Sequence, residues 1–275
     1  MDWKNAKTIL ILVFLILNII LTVILYRNVK GEEVSQETIY NTQKILEQNN
    51  VHIECAIPRY TGTDYILQHD ETILDRSKIV SAFLGDKYSK ISDSTYVLKT
   101  QRLVFANDST FEYSDSGVNN RTSAESKSGI ESFVKELSKK LDIPLNEFQL
   151  DEFGLLPGGE GTRAVYKGVY KGYSVFDNYI ELIVSKSSLK SLKYHYKRPM
   201  TITNRDINVI PVYQILITKM TAYPGIYIKE VDMGFKGLTQ VDKETKTLYE
   251  GLSWRIKTSE GKEFYFNATN GERME

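Results

Sequence analysis

Hydrophobic positions are densest near the start of the chain, where LILVFLILNIILTVILY fills residues 10–26. No charged residue occurs from Thr8 to Tyr26, and a run of about this length can cross a bilayer as a helix. No small-residue cleavage site follows the run, which favours an uncleaved anchor over a signal peptide. The pattern therefore predicts a transmembrane helix over residues 8–26, preceded by a short tail over residues 1–7.

The polar residues within this run all fall on one face of the predicted helix. The steps between positions on that face are three and four residues, which is the spacing of a helix–helix seam. An Asn inside a membrane commonly hydrogen-bonds to a neighbouring helix. Two interpretations stay open: a face that packs on another transmembrane helix, or a plain anchor that tolerates polar residues. The predicted contact face consists of Thr8, Ile11, Leu15, Asn18, Thr22 and Leu25.

Beyond the first 30 residues, helical and strand patterns alternate. Apolar residues at helical spacing predict helices in EEVSQETIYNTQKILEQNN, ETILDRSKIVSAFLG, residues 130–141 and RDINVIPVYQILITKM. Alternating or β-rich stretches predict strands in VHIECAIP, TDYILQH, STYVLKTQRLVFAN, YSVFDNYIELIV and LKSLKYHYK. The polar stretch VNNRTSAESKSG has no hydrophobic period, and it predicts a boundary between two units over residues 31–118 and 126–275.

The last strands show the clearest alternation of side chains. The apolar face of the predicted strand is formed by Leu248, Leu252, Trp254 and Ile256, and the polar face by Tyr249, Ser253, Arg255 and Lys257. A hairpin turn is expected at SEGK, and both predicted units end in a long strand, a polar turn and an aromatic strand. We predict an α+β fold: one transmembrane helix and then two units of similar layout, each with helices on an antiparallel sheet.

Charge and composition narrow the classes of function. The chain of 275 residues carries 35 basic and 35 acidic side chains, and this balance argues against a nucleic-acid partner. One cysteine, Cys55, excludes a disulfide framework within the chain and a metal site built on cysteines. We expect Cys55 to be a small core residue on a strand rather than a reactive thiol.

Residues suited to catalysis are sparse. His52, His69 and His195 form no zinc-binding pair, so a zinc enzyme is not predicted. The acidic stretch QHDETILD could hold a cation or an acid–base pair, but it is more typical of a solvated turn before a helix. The basic stretch KSSLKSLKYHYKR could meet an anionic wall polymer, although a strand with one solvated face explains it equally well. We predict no catalytic residue, no metal and no cofactor.

The opening MDWKNAK and the closing WRIKTSEGKEFYFNATNG resemble the YycI (WalI) family, as does the layout of the whole chain. The closing hairpin is also similar to the end of PepSY-type modules. The resemblance implies a membrane-anchored accessory protein of a Gram-positive two-component system that governs cell-wall metabolism. It further implies action with a sister protein, YycH, on the sensor histidine kinase YycG (WalK), largely through transmembrane helices and without catalytic residues.

Two hypotheses from different classes follow. In the first, the chain is a non-enzymatic regulator in the cell membrane, and its contact face docks on helices of the kinase or the sister protein. In the second, it is an extracytoplasmic PepSY-type module that holds a peptide or wall polymer, with the helix as a passive tether. Basic residues flank the run on both sides, so charge does not decide the orientation. The resemblance favours a cytoplasmic N-terminus and an extracellular C-terminal region.

Overall fold

The computed structural model describes residues 3–29, 34–70, 72–117, 126–156, 161–185, 188–240 and 248–274. Its helices are α1 (Trp3–Val29), α2 (Gln36–Gln48), α3 (Arg76–Leu84), α4 (Lys127–Leu141) and α5 (Val212–Lys219). Its strands are β1 (His52–Ile53), β2 (Thr63–His69), β3 (Ser89–Ser92), β4 (Thr95–Leu98), β5 (Gln101–Asn107), β6 (Thr110–Asp115), β7 (Phe148–Leu155), β8 (Thr162–Tyr170), β9 (Tyr173–Ser185), β10 (Ser188–His195), β11 (Pro199–Asn208), β12 (Tyr227–Gln240), β13 (Leu248–Thr258), β14 (Glu263–Asn267) and β15 (Arg273–Met274). The predicted α+β fold class is confirmed.

Helix α1 covers the predicted segment 8–26 and extends beyond it at both ends. Its 27 residues correspond to about 40 Å of helix at 1.5 Å per residue. Within the described ranges, no helix combines the length and the hydropathy of a membrane span. The transmembrane assignment therefore stays a prediction, as does the cytoplasmic tail over residues 1–7.

The chain forms two compact units that interleave along the sequence. Unit 1 comprises Met1–Asp64, Arg205–Asp232 and Trp254–Glu275, and unit 2 comprises Tyr65–Asn204 and Met233–Ser253. The sequence predicted consecutive units over residues 31–118 and 126–275, whereas each unit here combines separated stretches. The long strands β12 and β13 pass from one unit to the other, and hydrophobic alternation within a strand carries no signal of such a passage. The predicted boundary at 118–125 lies outside the described residues.

Unit 2 is built on an antiparallel sheet with helices on one face. The strand order is β7-β8-β9-β10-β6-β5-β4-β3, and each neighbouring pair is antiparallel. Helices α3 and α4 pack on the face that carries Leu103, Phe111, Leu182 and Leu192. The opposite face of β4, β5 and β6 presents mostly polar side chains, so this end of the sheet has one open face.

Local sequence signals explain the two helices of unit 2. The side chain of Asp75 accepts a hydrogen bond from the backbone N–H of Lys78 and caps α3, which ends at Gly85 with a φ of 65°. Helix α4 is capped in the same way by Ser126. It buries the apolar stripe that the sequence predicted, which consists of Ile130, Val134, Leu137 and Leu141.

Unit 1 combines helices α2 and α5, which pack together, with short strand pairings. Strand β1 pairs in parallel with the start of β12. The indole N–H of Trp254 donates to the carbonyl oxygen of Ile210 at 2.8 Å, which ties β13 to the residues before α5. The predicted SEGK hairpin joins β13 and β14, and the N–H of Thr258 donates to the carbonyl oxygen of Lys262 at 2.9 Å.

Three local predictions need correction. The predicted strand STYVLKTQRLVFAN is split into β4 and β5, because Lys99 adopts a φ of 54° and turns the chain. The stretch predicted to be helical near Pro211 begins as strand β11, and α5 starts only after this proline. Cys55 follows the short strand β1 instead of lying on a strand, and it is only half-buried.

Candidate functional site

The predicted contact face lies entirely on α1. The side chains of Thr8 and Leu25 lie outside the described residues. The four described side chains of the face are all exposed, and they belong to Ile11, Leu15, Asn18 and Thr22. Because their spacing alternates between three and four residues, they form one stripe along the helix.

The polar side chains of this stripe bond to the backbone of their own helix. The Nδ2 of Asn18 donates to the carbonyl oxygen of Phe14 at 2.9 Å. The Oγ1 of Thr22 donates to the carbonyl oxygen of Asn18 at 2.8 Å. These bonds lower the desolvation penalty of placing both residues in an apolar setting. The carbonyl oxygen of the Asn18 side chain has no partner among the described residues, so it can accept a hydrogen bond from another chain.

The described apolar side chains of α1 are uncovered on every side of the helix. Exposure is 71% at Leu10, 66% at Phe14 and 47% at Leu21. Contiguous exposed apolar surface of this extent marks contact with a partner or a membrane. No side chain in the described ranges covers these residues of α1.

A second group of polar side chains is buried in unit 1 around Arg255, whose side chain is only 2% exposed. Its Nε and Nη2 donate to the two carboxylate oxygens of Asp232 at 2.9 and 3.0 Å. Its Nη1 donates to Glu263 at 3.1 Å, and Nη2 also reaches Glu230 at 3.2 Å. The planar guanidinium matches this forked arrangement of carboxylates. We refer to Arg255 and these three acidic residues as the arginine cluster.

The sequence predicted Arg255 and Lys257 on the polar face of the last long strand, and both are in fact buried. Lys257 lies 3.7 Å from the Glu263 carboxylate. One signal in the sequence could have revealed this burial. Glu230 and Asp232 share a face of β12, as Arg255 and Lys257 share a face of β13, so two strands carry matched opposite charges.

Unit 2 buries a different pair, His69 and Glu250, which we call the imidazole–carboxyl pair. Both side chains are 0% exposed, and the His69 Nε2 lies 3.4 Å from the Glu250 Oε2. That distance allows an ion pair, but neither carboxyl oxygen of Glu250 has an aligned hydrogen bond among the described residues. Burial raises the pKa of Glu250, although His69 acts in the opposite direction.

Other titratable groups of unit 2 surround this pair. Lys236 contacts Asp177 at 2.8 Å, and the N–H of Gly237 donates to Asp177 at 3.0 Å. Burial raises the pKa of Asp177, but these contacts outweigh burial and hold the pKa below its usual range. His195 bonds through Nδ1 to the backbone carbonyl oxygen of Asp177. Burial lowers the pKa of His195. The acidic stretch at QHDETILD is thus not wholly solvated, because His69 faces inward.

The arrangement offers little for catalysis. His69 and Glu250 are enclosed, so a substrate has no access to them. The pKa of Cys55 is raised to about 11 by burial and by the charge of Glu230, which keeps the thiol protonated and weakly nucleophilic near neutral pH. Within the part of the chain that the structure describes, no three His, Cys, Asp or Glu side chains form a group that could hold a metal ion.

Comparison with known protein families tests the resemblance to the YycI family. A family model described as YycI protein matches residues 29–269. The chain belongs to the YycI family. This family comprises regulatory accessory proteins and is not known for enzymes. Its match confirms the resemblance to the family and includes most of the closing segment, whereas the opening MDWKNAK lies before the matched residues. The PepSY-like character of the YycI-family chain's closing hairpin stays a prediction. No curated protein sequence matches the chain.

Two solved structures resemble this YycI-family chain. One is an uncharacterized protein from Eubacterium rectale, with 10% identity and a TM-score of 0.46, covering 86% of this chain and 98% of that one. The other is YycH from Bacillus subtilis, with 14% identity and a TM-score of 0.47, covering 75% of this chain and 52% of that one. The chain thus spans about half the length of the YycH structure.

Proposed function

We propose that this YycI-family chain is a non-enzymatic membrane regulator of a sensor histidine kinase of the YycG (WalK) type, acting with a sister protein of the YycH type. The kinase belongs to a two-component system that governs cell-wall metabolism. Membership of a regulatory accessory family supports this role over an enzymatic one. The observation that carries the mechanism is the uncovered stripe on α1, with Asn18 at its centre.

We further propose that α1 anchors the chain in the cell membrane, with its N-terminus in the cytoplasm and the two units outside the cell. Apolar side chains that are exposed around the whole helix support an anchor, because lipid would cover them. The hydrogen bonds that Asn18 and Thr22 make to their own helix support it as well, since they satisfy donors that lipid could not.

Docking on the kinase would act through the stripe on α1. A hydrogen bond to the free carbonyl oxygen of Asn18 would contribute about 0.6–2 kcal/mol within a membrane. Regulation requires that this contact be stronger in one signalling state of the kinase than in the other. A difference of that size would shift the balance of states by roughly 3- to 30-fold, which is enough to change the output of the pathway.

Site-specific photo-crosslinking in native membranes would test this proposal. A photoreactive residue at Leu15 lies on the stripe, whereas one at Ile20 lies on the opposite side of α1 at 100° per residue. We expect capture of the sensor kinase or the YycH-type protein from position 15 and much weaker capture from position 20. Adding Asn18→Leu and Thr22→Leu should reduce capture from position 15.

The control must keep the apolar character and the helix intact. Val13→Leu combined with Ile20→Leu alters the opposite side of α1, keeps it apolar and should leave capture unchanged. Equal capture from positions 15 and 20, or capture that is insensitive to Asn18→Leu, would place the contact outside the stripe. Absence of any kinase or YycH-type protein among the captured chains would leave the helix as a passive tether of a PepSY-type module.

A further inference from the structure

A groove opens on the polar face of the unit 2 sheet, where β4, β5 and β6 lie side by side. Its volume is about 540 Å³, which falls within the usual range for small-ligand sites. Arg102 is one of the lining residues, and its backbone pairs with Val97 on β4 and with Ser114 on β6. Lys99 contributes from the turn between β4 and β5, and Ile91 and Val97 supply an apolar part of the lining.

Asp115 is the one acidic residue among the described side chains that line the groove, and its Oδ1 is engaged in local bonds. Asp115 accepts from the hydroxyl of Thr100 at 2.7 Å and from the N–H of Gly117 at 2.8 Å. The two cations differ, because neither Lys99 nor Arg102 forms an ion pair with any residue in the described ranges. The hydroxyls of Thr95 and Ser114 add further hydrogen-bond donors to the same lining.

The backbone conformation of Lys99 also favours a binding role for this residue. Lys99 has a φ of 54°, a left-handed conformation that Gly or Asn adopts far more readily than Lys. The turn between β8 and β9 has the same feature at Lys171, with a φ of 49°. There, however, the ammonium lies over the ring of Tyr170 and lines no described cavity. Lys171 is therefore a natural control for Lys99.

A second cavity of unit 2, of about 280 Å³, has a lining with a different balance of charge, formed by Asp75, Asp142 and Lys78. Lys78 lies 3.5 Å from Asp142, and Asp75 is engaged in capping α3, so its charged side chains have partners. In the groove on β4–β6, the described lining sets two cations, Lys99 and Arg102, against the single carboxylate of Asp115, so it keeps a net positive charge. Lys99 and Arg102, together with the neighbouring hydroxyl groups, favour an anion as the ligand. The apolar part of the lining favours an anion that also carries a carbon skeleton.

We propose that this groove binds an organic phosphate ester. Phosphate presents several strong acceptor oxygens, so it can receive the guanidinium of Arg102, the ammonium of Lys99 and a hydroxyl at the same time. The carbon part of the ester packs on Ile91 and Val97. The site shares no residue with α1, the arginine cluster or the imidazole–carboxyl pair, and neither family membership nor the proposed helix contacts assign it.

Calorimetric titration of the full-length protein in lipid nanodiscs tests this site, with glycerol 3-phosphate as the probe. We expect saturable binding, and Arg102→Gln should weaken it at least about tenfold because a charge-assisted bond is lost. Lys99→Gly should weaken binding by a similar factor and yet raise Tm, since Gly relieves the left-handed strain. Lys171→Gly removes a lysine of the same backbone conformation and should leave the affinity unchanged.

Three results would overturn the proposal. They are absence of binding at millimolar glycerol 3-phosphate, an equal loss of affinity in Lys99→Gly and Lys171→Gly, and equal affinity for inorganic phosphate and the ester. The last result would remove the role of the apolar lining. Because these measurements do not involve the kinase or the contact face on α1, their failure is distinct from failure of the proposed regulatory function.

Discussion

The arginine cluster of unit 1 and the imidazole–carboxyl pair of unit 2 both bury charged groups on β13, but they satisfy those groups differently. The guanidinium of Arg255 is bonded on three sides by carboxylates. The carboxyl group of Glu250 has no aligned donor among the described residues and only His69 within 3.4 Å. One cluster is saturated with hydrogen bonds, and the other is not.

The arginine cluster and the imidazole–carboxyl pair also differ in their exposure to solvent. The carboxylates around Arg255 keep partial contact with solvent, at 41% for Glu230, 29% for Asp232 and 21% for Glu263. Water therefore still hydrates these carboxylates, whereas the cation between them is covered. Glu250 and His69 have no such contact with solvent, and burial raises the pKa of the Glu250 carboxyl group. The saturated cluster should therefore set stability, and the unsaturated pair should set how stability depends on pH.

The largest effect on the free energy of unfolding should come from replacing the arginine at the centre of the arginine cluster. Arg255→Met leaves three carboxylates facing one another without their central cation, and only Lys257 remains nearby. We expect a loss of about 3–5 kcal/mol in the free energy of unfolding, as for other broken buried pairs. Arg255→Lys keeps the charge but cannot form the forked contact with Asp232, so its loss should be intermediate.

Urea unfolding at constant pH measures both variants, and Arg102→Gln serves as the control because Arg102 is exposed. A loss below about 1 kcal/mol for Arg255→Met, typical of exposed pairs, would mean that solvent screens the cluster. The contrast with the imidazole–carboxyl pair would then disappear.

The next effect should come from Glu250→Gln, and it should depend on pH. Burial raises the pKa of Glu250, so the folded protein holds this proton more tightly than the unfolded chain. Protonation of Glu250 therefore stabilises the folded protein. This stabilisation is present in full below the ordinary pKa of a glutamic acid and is lost as pH rises through the pKa of the folded state. We expect Glu250→Gln to match the wild type near pH 4 and to exceed it by about 1–3 kcal/mol at pH 8.

Unfolding curves between pH 4 and pH 8 compare the two proteins, and Glu112→Gln provides an exposed glutamate as a control. If wild type and Glu250→Gln give parallel curves of stability against pH, the carboxyl group is solvated or bonded in a way that its buried position does not suggest.

His195 should give a smaller effect of opposite sign. Burial lowers the pKa of this imidazole, so the folded protein holds the proton less tightly. The contribution to stability is present above the ordinary histidine pKa of about 6.5 and is lost as pH falls through the folded pKa. His195→Gln should flatten the acidic side of the stability curve and reduce stability at pH 8 by about 1 kcal/mol, through the lost bond to Asp177. An unchanged acidic side would show that another group controls it.

Sequence patterns predicted the elements whose causes are local. Helix α3 was recognisable from the apolar pattern before Gly85, and α4 from its apolar stripe. The contact face on α1 could likewise be proposed from spacing alone, because residues three and four apart always share a helix face. These features depend on near neighbours in the chain.

Features that depend on distant neighbours could not be predicted in this way. The interleaving of the two units and the burial of Arg255 both depend on which strands lie side by side. The carboxylates that make Arg255 tolerable in a core come from positions 230, 232 and 263. The same holds for the groove, because Arg102 acquires its neighbours Val97 and Ser114 only through strand pairing.

The smallest effect should come from the most exposed member of the arginine cluster. Glu230→Gln removes one carboxylate, but the Nη2 that it contacts also bonds to Asp232 at 3.0 Å. We expect a loss of at most about 0.5–1 kcal/mol, as for exposed ion pairs. The loss should be clearly larger for Asp232→Asn, which removes the charge and one of the two acceptor oxygens and sets an NH₂ group against the guanidinium. Urea unfolding of the two variants gives the order. Equal losses would mean that total charge, rather than forked geometry, holds Arg255 in place, and saturation with hydrogen bonds would no longer distinguish this cluster from the imidazole–carboxyl pair.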